Sequence, residues 1–163
     1  MKKKIKHSNV IIITGGSGYI GSCLAKYLSK EYRVITLDKK NKSPFLNKKI
    51  DHLKCNLNNK KKLLKIIKKI NPKTIIHLAG QSTIDLVERK KVDYFKDNLL
   101  ATKNLLEVIK NLKIKNLIFS STAAVYEDFN NKISETGKIR SLNSYGISKI
   151  KCEELIKKKL NLI

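Results

Sequence analysis

A buried strand that runs into a glycine-rich turn is the feature that most constrains this chain. Four consecutive apolar residues, 10–13, precede Gly15, Gly18 and Gly21, and a helical pattern begins at residue 19. This order is the geometry that binds a dinucleotide pyrophosphate. We expect Gly15 and Gly18 to adopt backbone angles closed to other residues and to admit phosphates, and Gly21 to allow close helix packing. An ordinary strand-to-helix turn is the less favoured alternative. The G-x-x-G-x-x-G spacing differs from the usual G-x-G-x-x-G fingerprint.

The length and composition predict one domain without a membrane segment. A chain of 163 residues is long enough for one domain with a hydrophobic core and short for two, so we assign residues 1–163 to a single domain. No apolar stretch approaches transmembrane length, and the basic N-terminus precedes too short an apolar run for a signal peptide. The three cysteines are widely spaced and form no metal-ligand pattern, which favours reduced thiols, no metal site and a cytoplasmic location.

The formal net charge of +23 raises nucleic acid as a partner. Of the 36 basic residues, however, three are arginines, and specific nucleic-acid sites rely heavily on arginine. The lysines cluster on polar helix faces, as at residues 60–62 and 157–159, with few aromatic residues among them. A solvated lysine-rich surface is the favoured interpretation, with no specific nucleic acid and no membrane as partner. A nucleic-acid binder driven by charge is the alternative.

Apolar runs alternate with helical patterns along the chain, and this alternation is typical of an α/β fold. This alternation predicts a doubly wound parallel sheet of the Rossmann-like type. The predicted strands lie near residues 9–14, 33–37, 52–55, 74–78 and 115–120. The predicted helices lie near residues 19–30, 59–70, 91–112 and 144–160, with polar loops at 39–49 and 127–143.

The acidic residue Asp38 closes the second predicted strand, 17 residues after Gly21. A carboxylate there can accept hydrogen bonds from the adenosine ribose hydroxyls and repel a 2′-phosphate, which favours NAD over NADP. Lys39 and Lys40 follow at once and keep NADP as an alternative.

The fourth predicted strand ends in the segment 77–80, His-Leu-Ala-Gly. Small residues there would let a cofactor lie against the carboxyl edge of the sheet. We expect His77 to be structural rather than catalytic. Asn98 lies on the following predicted helix and by itself does not indicate a functional site.

Tyr145 and Lys149 form the second strong signal, because residues four apart share one face of a helix. A neighbouring ammonium lowers the pKa of a tyrosine towards the working range of a general base. Upstream, the segment 120–122 ends a predicted strand with three hydroxyl residues, one of which could bind the substrate oxygen beside the tyrosine. A chance pair on an exposed helix is the alternative to this interpretation.

Together these motifs resemble a known family. T-G-G-x-G-Y-I-G-S, the acidic end of strand two, H-L-A-G, Asn98, S-S-T-A-A-V-Y and Y-G-x-S-K follow the order of the extended short-chain dehydrogenase/reductases. Within them the chain is most similar to the NAD-dependent sugar-nucleotide epimerases, to which the G-x-x-G-x-x-G spacing belongs. The resemblance covers nearly the whole chain but only the N-terminal, cofactor-binding half of a family member. The chain is therefore expected to be truncated before the C-terminal substrate domain.

The resemblance implies NAD as cofactor, a nucleotide sugar as substrate and a catalytic set of Thr122, Tyr145 and Lys149. In this scheme Tyr145 is the base, Lys149 tunes its pKa and binds the ribose, and Thr122 holds the sugar oxygen. Tyr145 removes the proton of the 4-hydroxyl of a UDP-hexose as a hydride leaves C4, and the 4-keto sugar then turns over before the hydride returns. The implied cofactor ligands are Gly15, Gly18, Tyr19, Ile20, Asp38, Asn56, Leu57, Leu78, Ala79, Gly80, Gln81, Asn98, Tyr145 and Lys149.

Residues after Thr122 distinguish the branches of the family. The related dehydratases carry an acidic pair where this chain has Ala123-Ala124, which favours 4-epimerisation. The chain departs from the family at Gln81-Ser82, which leaves the sugar open, and at Asn56, where aspartate is usual. Activity of the short chain is expected to be impaired. A non-catalytic dinucleotide-binding module and a related dehydratase or reductase are the alternatives, and the family predicts a homodimer through a four-helix bundle.

Overall fold

The structure, a computed structural model, describes residues 6–82, 93–127 and 132–160. Parts of two predicted segments, residues 91–92 of a helix and 128–131 of a loop, lie outside the described residues. The chain divides into two compact units: the first comprises Met1–Ala79 and Glu107–Ser120, and the second comprises Gly80–Leu106 and Ser121–Ile163. The single-domain organisation stays a prediction.

One parallel sheet of five strands forms the first unit. Its strands are β1 (Lys6–Thr14), β2 (Tyr32–Asp38), β3 (Asp51–Lys54), β4 (Thr74–His77) and β5 (Asn116–Phe119). The strand order is β3-β2-β1-β4-β5. From β1 the chain adds β2 and β3 on one side of that strand and then β4 and β5 on the other side. This order confirms the doubly wound α/β fold.

The central strand β1 explains why the sequence opens with an apolar run. Ile12 and Ile13 have no exposed surface, and Ile12 lies opposite Ile35 on β2 and Ile75 on β4. A parallel strand covered on both faces needs apolar residues at consecutive positions. Because β1 pairs with both β2 and β4, the strand order reverses beside its carboxyl end, where ligands of such sheets bind.

Two helices of the first unit connect these strands, α1 (Tyr19–Leu28) and α2 (Lys60–Ile70). The Asn59 side chain caps α2 by accepting the Lys62 N–H at 3.0 Å, and Asn71 ends it with a left-handed φ of 48°. Helix α1 contributes Ala25 to the core and ends two residues before the predicted position. The core cluster comprises Ile11, Ile13, Ala25, Val34, Leu46, Ile50 and Ile76.

A π-helical stretch, Phe95–Leu100, continues into α3 (Ala101–Ile109). The predicted helix end at residue 112 is wrong: the Leu112 N–H donates to the Ile109 carbonyl at 2.9 Å, which closes a turn after α3. A short 3₁₀ turn, Ala123–Val125, and the long helix α4 (Ser144–Leu160) follow. Helix α4 has the predicted bounds.

Among the described residues, no helix combines the length and apolar character needed to cross a bilayer. The same part of the chain contains no group of three metal-ligating side chains. All three cysteines are free thiols, Cys23 exposed and Cys55 and Cys152 buried.

Candidate functional site

The glycine turn of the first unit leads into a helix N-terminus that no side chain caps. Gly15 has a φ of +73°, and its N–H donates to the Leu37 carbonyl at 2.8 Å. Gly18 is the N-cap of α1 and has no side chain to accept a hydrogen bond from the first helical N–H groups. The first N–H groups of a helix lack intrahelical acceptors and carry the positive end of its dipole. Tyr19 and Ile20 follow with 83% and 64% of their surface exposed, so this end of α1 is open to an anionic group.

The glycines of the turn have different roles. A Cβ on Gly15 would lie 2.7 Å from the Ala79 nitrogen, and one on Gly21 would overlap the Gly15 carbonyl oxygen. The predicted special backbone angle of Gly18 is wrong, because its φ of −73° is open to any residue. Glycine at position 18 instead avoids a tight contact, since a Cβ there would lie 3.2 Å from the Gly15 oxygen. Gly16, which the sequence did not single out, is required because a Cβ would overlap Thr36.

Asp38 ends β2 and is fixed by two main-chain donors. Its Oδ2 accepts the Ser17 N–H at 3.0 Å, and its Oδ1 accepts the Lys40 N–H at 2.9 Å. The Ser17 amide belongs to the glycine turn, so the carboxylate lies beside it. Each carboxylate oxygen retains acceptor capacity, which suits ribose hydroxyls.

Asn56 and Leu57 follow β3 close to Asp38, because the Cys55 N–H donates to the Asp38 carbonyl at 2.7 Å. Asn56 is exposed, and its Oδ1 accepts the Asn58 N–H at 2.9 Å. Leu57 is buried. The fold therefore brings this predicted adenine-binding pair to the same edge as the predicted ribose ligand.

Leu78 and Ala79 follow β4 on the other side of the glycine turn. The Ala79 N–H donates to Thr14 Oγ1 at 3.3 Å, and that oxygen lies 2.7 Å from Nδ1 of the buried His77. Because an N–H can only donate, Thr14 Oγ1 accepts from Ala79, and the same oxygen shares a second hydrogen bond with the His77 ring. This network fixes the end of β4 against β1 and agrees with a structural histidine.

In the second unit, Asn98 joins two segments through its carboxamide. Its Oδ1 accepts the Gln81 N–H at 2.7 Å, while Nδ2 donates to the Gln81 carbonyl at 3.2 Å and to Ser148 Oγ at 2.9 Å. Asn98 is buried within the π-helical stretch, and Gly80 leaves room for it, since a Cβ there would lie 3.0 Å from Oδ1. Asn98 therefore holds Gln81 against α4, and its contact with a cofactor stays a prediction.

Thr122 begins the 3₁₀ turn, and its Oγ1 accepts the Ala124 N–H at 3.2 Å. This bond uses a lone pair of the hydroxyl and leaves its proton for another acceptor. Helix α4 approaches this turn closely at Gly146, where a Cβ would overlap the Ala124 carbonyl oxygen. Glycine at 146 thus lets the hydroxyl-bearing segment lie against the helix that carries Tyr145.

Tyr145 and Lys149 stand one turn apart on α4 in different surroundings. The Tyr145 ring is half-buried and lies 5.8 Å from the Tyr94 ring between centroids. In the part of the chain that the structure describes, no hydrogen bond occupies the Tyr145 hydroxyl. Lys149 is buried, and this burial lowers the pKa of its ammonium, opposed by Cys152 and Glu153. Lys149 thus lies buried one turn from the half-buried phenol of Tyr145, and its role in tuning that phenol stays a prediction.

Lys149→Met should remove a rise of stability at alkaline pH. The folded pKa of Lys149 lies below the ordinary 10.5, so between these values the unfolded chain holds a proton that the folded chain has lost. The free energy of unfolding therefore rises with pH across this window, by up to about 1.4 kcal/mol per pH unit. In urea unfolding from about pH 7 to pH 10.5, the free energy of unfolding of the wild type minus that of Lys149→Met should rise with this slope. The exposed Lys157→Met should retain it, and parallel curves for wild type and Lys149→Met would contradict the prediction.

Comparison with known proteins agrees with this arrangement. The family model described as "NAD dependent epimerase/dehydratase family" matches residues 11–159. A UDP-glucose 4-epimerase of Mycoplasma genitalium is 35% identical over 158 residues, covering 90% of this chain and 46% of its own length. A dTDP-D-glucose 4,6-dehydratase of Dictyostelium discoideum is 32% identical over 169 residues, covering 90% and 39%.

A solved structure, the UDP-glucose 4-epimerase of Bifidobacterium longum in complex with NAD⁺ and UDP, superposes with a TM-score of 0.82. It is 28% identical, and the match covers 92% of this chain and 48% of that one. The chain thus spans less than half the length of these relatives.

Proposed function

Because the chain belongs to the NAD dependent epimerase/dehydratase family, we propose that it supplies the cofactor-binding and proton-transferring part of a UDP-hexose 4-epimerase. The observation that carries this proposal is a buried Lys149 one turn after Tyr145, on a helix packed against the Thr122 turn. The similarity to UDP-glucose 4-epimerases supports the choice of substrate.

NAD is the cofactor, and the first unit fits its phosphates and adenosine. The uncapped N-terminus of α1 and the space above Gly18 suit a pyrophosphate, and the fixed carboxylate of Asp38 suits ribose hydroxyls. Asn56 and Leu57 would border the adenine. Exposed Tyr19 and Ile20 would flank the phosphates, and Leu78 and Ala79 would line the strand edge.

The second unit carries the residues for proton transfer. We assign Tyr145 as the base that takes the proton of the sugar 4-hydroxyl, and Thr122 as the donor that holds the sugar oxygen. Lys149 stabilises the phenolate and binds the nicotinamide ribose, with Gly80, Gln81 and Asn98 beside it. When bound, NAD would supply the hydride acceptor for C4 of the sugar, and the reduced cofactor would supply the hydride that C4 regains on its opposite face. Tyr145 then returns the proton, so the net change is inversion at C4.

Dehydration by the same chain is the second candidate, since a dehydratase is among the relatives. Elimination of water needs a proton donor beside the sugar. The two positions after Thr122 are alanines in the 3₁₀ turn, which favours epimerisation. A non-catalytic dinucleotide-binding module is the third candidate.

We also propose a homodimer through a four-helix bundle and a cytoplasmic location. Phe95 and Leu100 are exposed at 43% and 41% on the helical segment that would form part of the bundle, which supports the dimer. Three free thiols agree with a reducing compartment.

Calorimetry and turnover assays together test the proposal. We expect NAD to bind, with NADP weaker by about tenfold or more, because Asp38 repels a 2′-phosphate. NMR should then follow interconversion of UDP-glucose and UDP-galactose, with the chain alone and with a C-terminal half of a related epimerase added. Failure to bind NAD would overturn the proposal. Elimination from dTDP-glucose without epimerisation would favour the dehydratase, and NAD binding without turnover in either setting would favour the non-catalytic module.

A further inference from the structure

Glu153 lies one turn beyond Lys149 on α4 and contacts the hydroxyl-bearing segment. The Ser121 hydroxyl donates to Glu153 Oε1, and both groups are half-buried. Ser121 directly precedes Thr122, the residue assigned to the sugar oxygen. The carboxylate of α4 therefore holds the chain immediately before that residue.

A second contact fixes the same segment two residues beyond Thr122. Gly146 of α4 lies so close to the Ala124 carbonyl oxygen that no side chain fits between them. Thr122 thus stands between two attachment points on α4, one at Glu153 and one at Gly146. The first is a polar bond that a substitution can remove without changing the packing at the second.

Glu153 also supplies negative charge to the surroundings of Lys149. Cys152 and Glu153 are the groups that oppose the effect of burial on the pKa of Lys149. Burial raises the pKa of the Cys152 thiol above its ordinary 9.0, so this thiol is neutral near pH 7. This leaves Glu153 as the group on α4 whose charge opposes the effect of burial on the Lys149 pKa.

Besides burial, the causes of the Lys149 pKa shift are groups on α4 itself, and no described group on a neighbouring element, α3 included, is among them. The 3₁₀ turn Ala123–Val125 carries no ionisable side chain, and Tyr94, next to the π-helical stretch, packs against Tyr145. Lys96 and Asp97 lie within that stretch, and neither is among the causes of the Lys149 shift.

We propose that Glu153 is a positioning residue of the candidate active site, which anchors the Ser121–Thr122 segment to α4 and keeps an anion beside Lys149. The inference rests on the proposed function for the roles of Thr122 and Lys149. Its two consequences can be measured in the protein without cofactor or substrate, so they can fail independently of that function.

The first test measures the titration of Lys149 by NMR of protein with isotope-labelled lysines. The Lys149 signal is assigned by its loss in Lys149→Arg. Glu153→Gln keeps a hydrogen-bond acceptor and removes the charge, so we expect the Lys149 titration to move to lower pH. Ser121→Ala keeps the charge and should leave the midpoint at the wild-type pH. An unchanged midpoint in Glu153→Gln would overturn the electrostatic part of the proposal.

The second test follows the Thr122 methyl signal in the same samples. Ser121→Ala and Glu153→Ala both remove the anchor and should shift or broaden this signal, whereas Glu153→Gln should change it least. Thermal unfolding of each variant separates a local change from general loss of structure. A Thr122 signal that matches the wild type in both alanine variants would show that Glu153 does not position this segment.

Discussion

Replacing Tyr145 by phenylalanine should lower UDP-hexose epimerisation by about 10²- to 10⁴-fold, because the reaction loses the group that takes and returns the 4-hydroxyl proton. The ring remains, so its packing against Tyr94 at 5.8 Å is retained. The Kd for NAD should stay within about threefold of wild type, because the removed oxygen acts mainly in the transition state. Calorimetry measures the Kd for NAD. An NMR assay measures UDP-glucose conversion, either with the chain alone or with the added C-terminal half, whichever gives turnover with the wild type.

Tyr27→Phe is the matched control for this substitution. Tyr27 lies on α1 with 68% of its surface exposed, and its ring has the Lys30 ammonium 5.4 Å from the centroid, a contact that phenylalanine can keep. Turnover of this variant should remain within about twofold of wild type. Epimerisation by Tyr145→Phe at the rate of Tyr27→Phe would exclude Tyr145 as the base and remove the central step of the proposed mechanism.

The parts of the fold that sequence predicted best depend on local signals. The apolar run of β1, its end at Gly15 and the start of α1 lie within a few residues of one another, so the chain itself displays the strand, turn and helix. The acidic end of β2 is also local, since Asp38 directly follows an apolar strand. Helix α4 has the predicted bounds for the same reason.

Contacts between distant segments were not predictable in the same way. The need for glycine at position 16 comes from Thr36 on the neighbouring strand, and the two residues share no sequence pattern. The anchor of Asp38 is a main-chain N–H at Ser17, which every residue except proline offers. Likewise, nothing in the Y-x-x-x-K spacing indicates that Ser121 pairs with Glu153. Such partners depend on how the elements pack.

Local rules also failed where the backbone departs from regular geometry. The helix after residue 94 begins with a π-helical stretch, which a search for a 3.6-residue period does not detect. Asn98 lies in that stretch, and its carboxamide forms hydrogen bonds with Gln81 and Ser148. Its neighbours in sequence therefore gave no indication of this structural role. The ordinary φ of Gly18 is a similar case: three glycines shared one motif but not one conformation.

This difference between the glycines leads to a second large effect. In Gly21→Ala the new Cβ would overlap the Gly15 carbonyl oxygen and crowd the Gly16 Cα at 2.9 Å, so backbone and not a flexible side chain has to move. Overpacking of this kind costs about 1–3 kcal/mol, which lowers the Tm of a chain this size by roughly 2–12 °C. NAD binding should weaken by about tenfold or more, because the displaced turn carries the phosphate site. Differential scanning calorimetry and NAD titration measure the two effects.

Gly18→Ala separates stability from binding within the same turn. Its φ of −73° suits alanine, and the Cβ would meet the Gly15 oxygen at 3.2 Å, a contact that a small adjustment relieves. The Tm should therefore stay within about 2 °C of wild type, while NAD binding still weakens because the methyl group occupies space needed by the pyrophosphate. If the Tm of Gly21→Ala equalled that of the wild type, close packing at Gly21 would not be what fixes the turn. Wild-type NAD affinity in Gly18→Ala would mean that the phosphates do not approach the main chain at this residue.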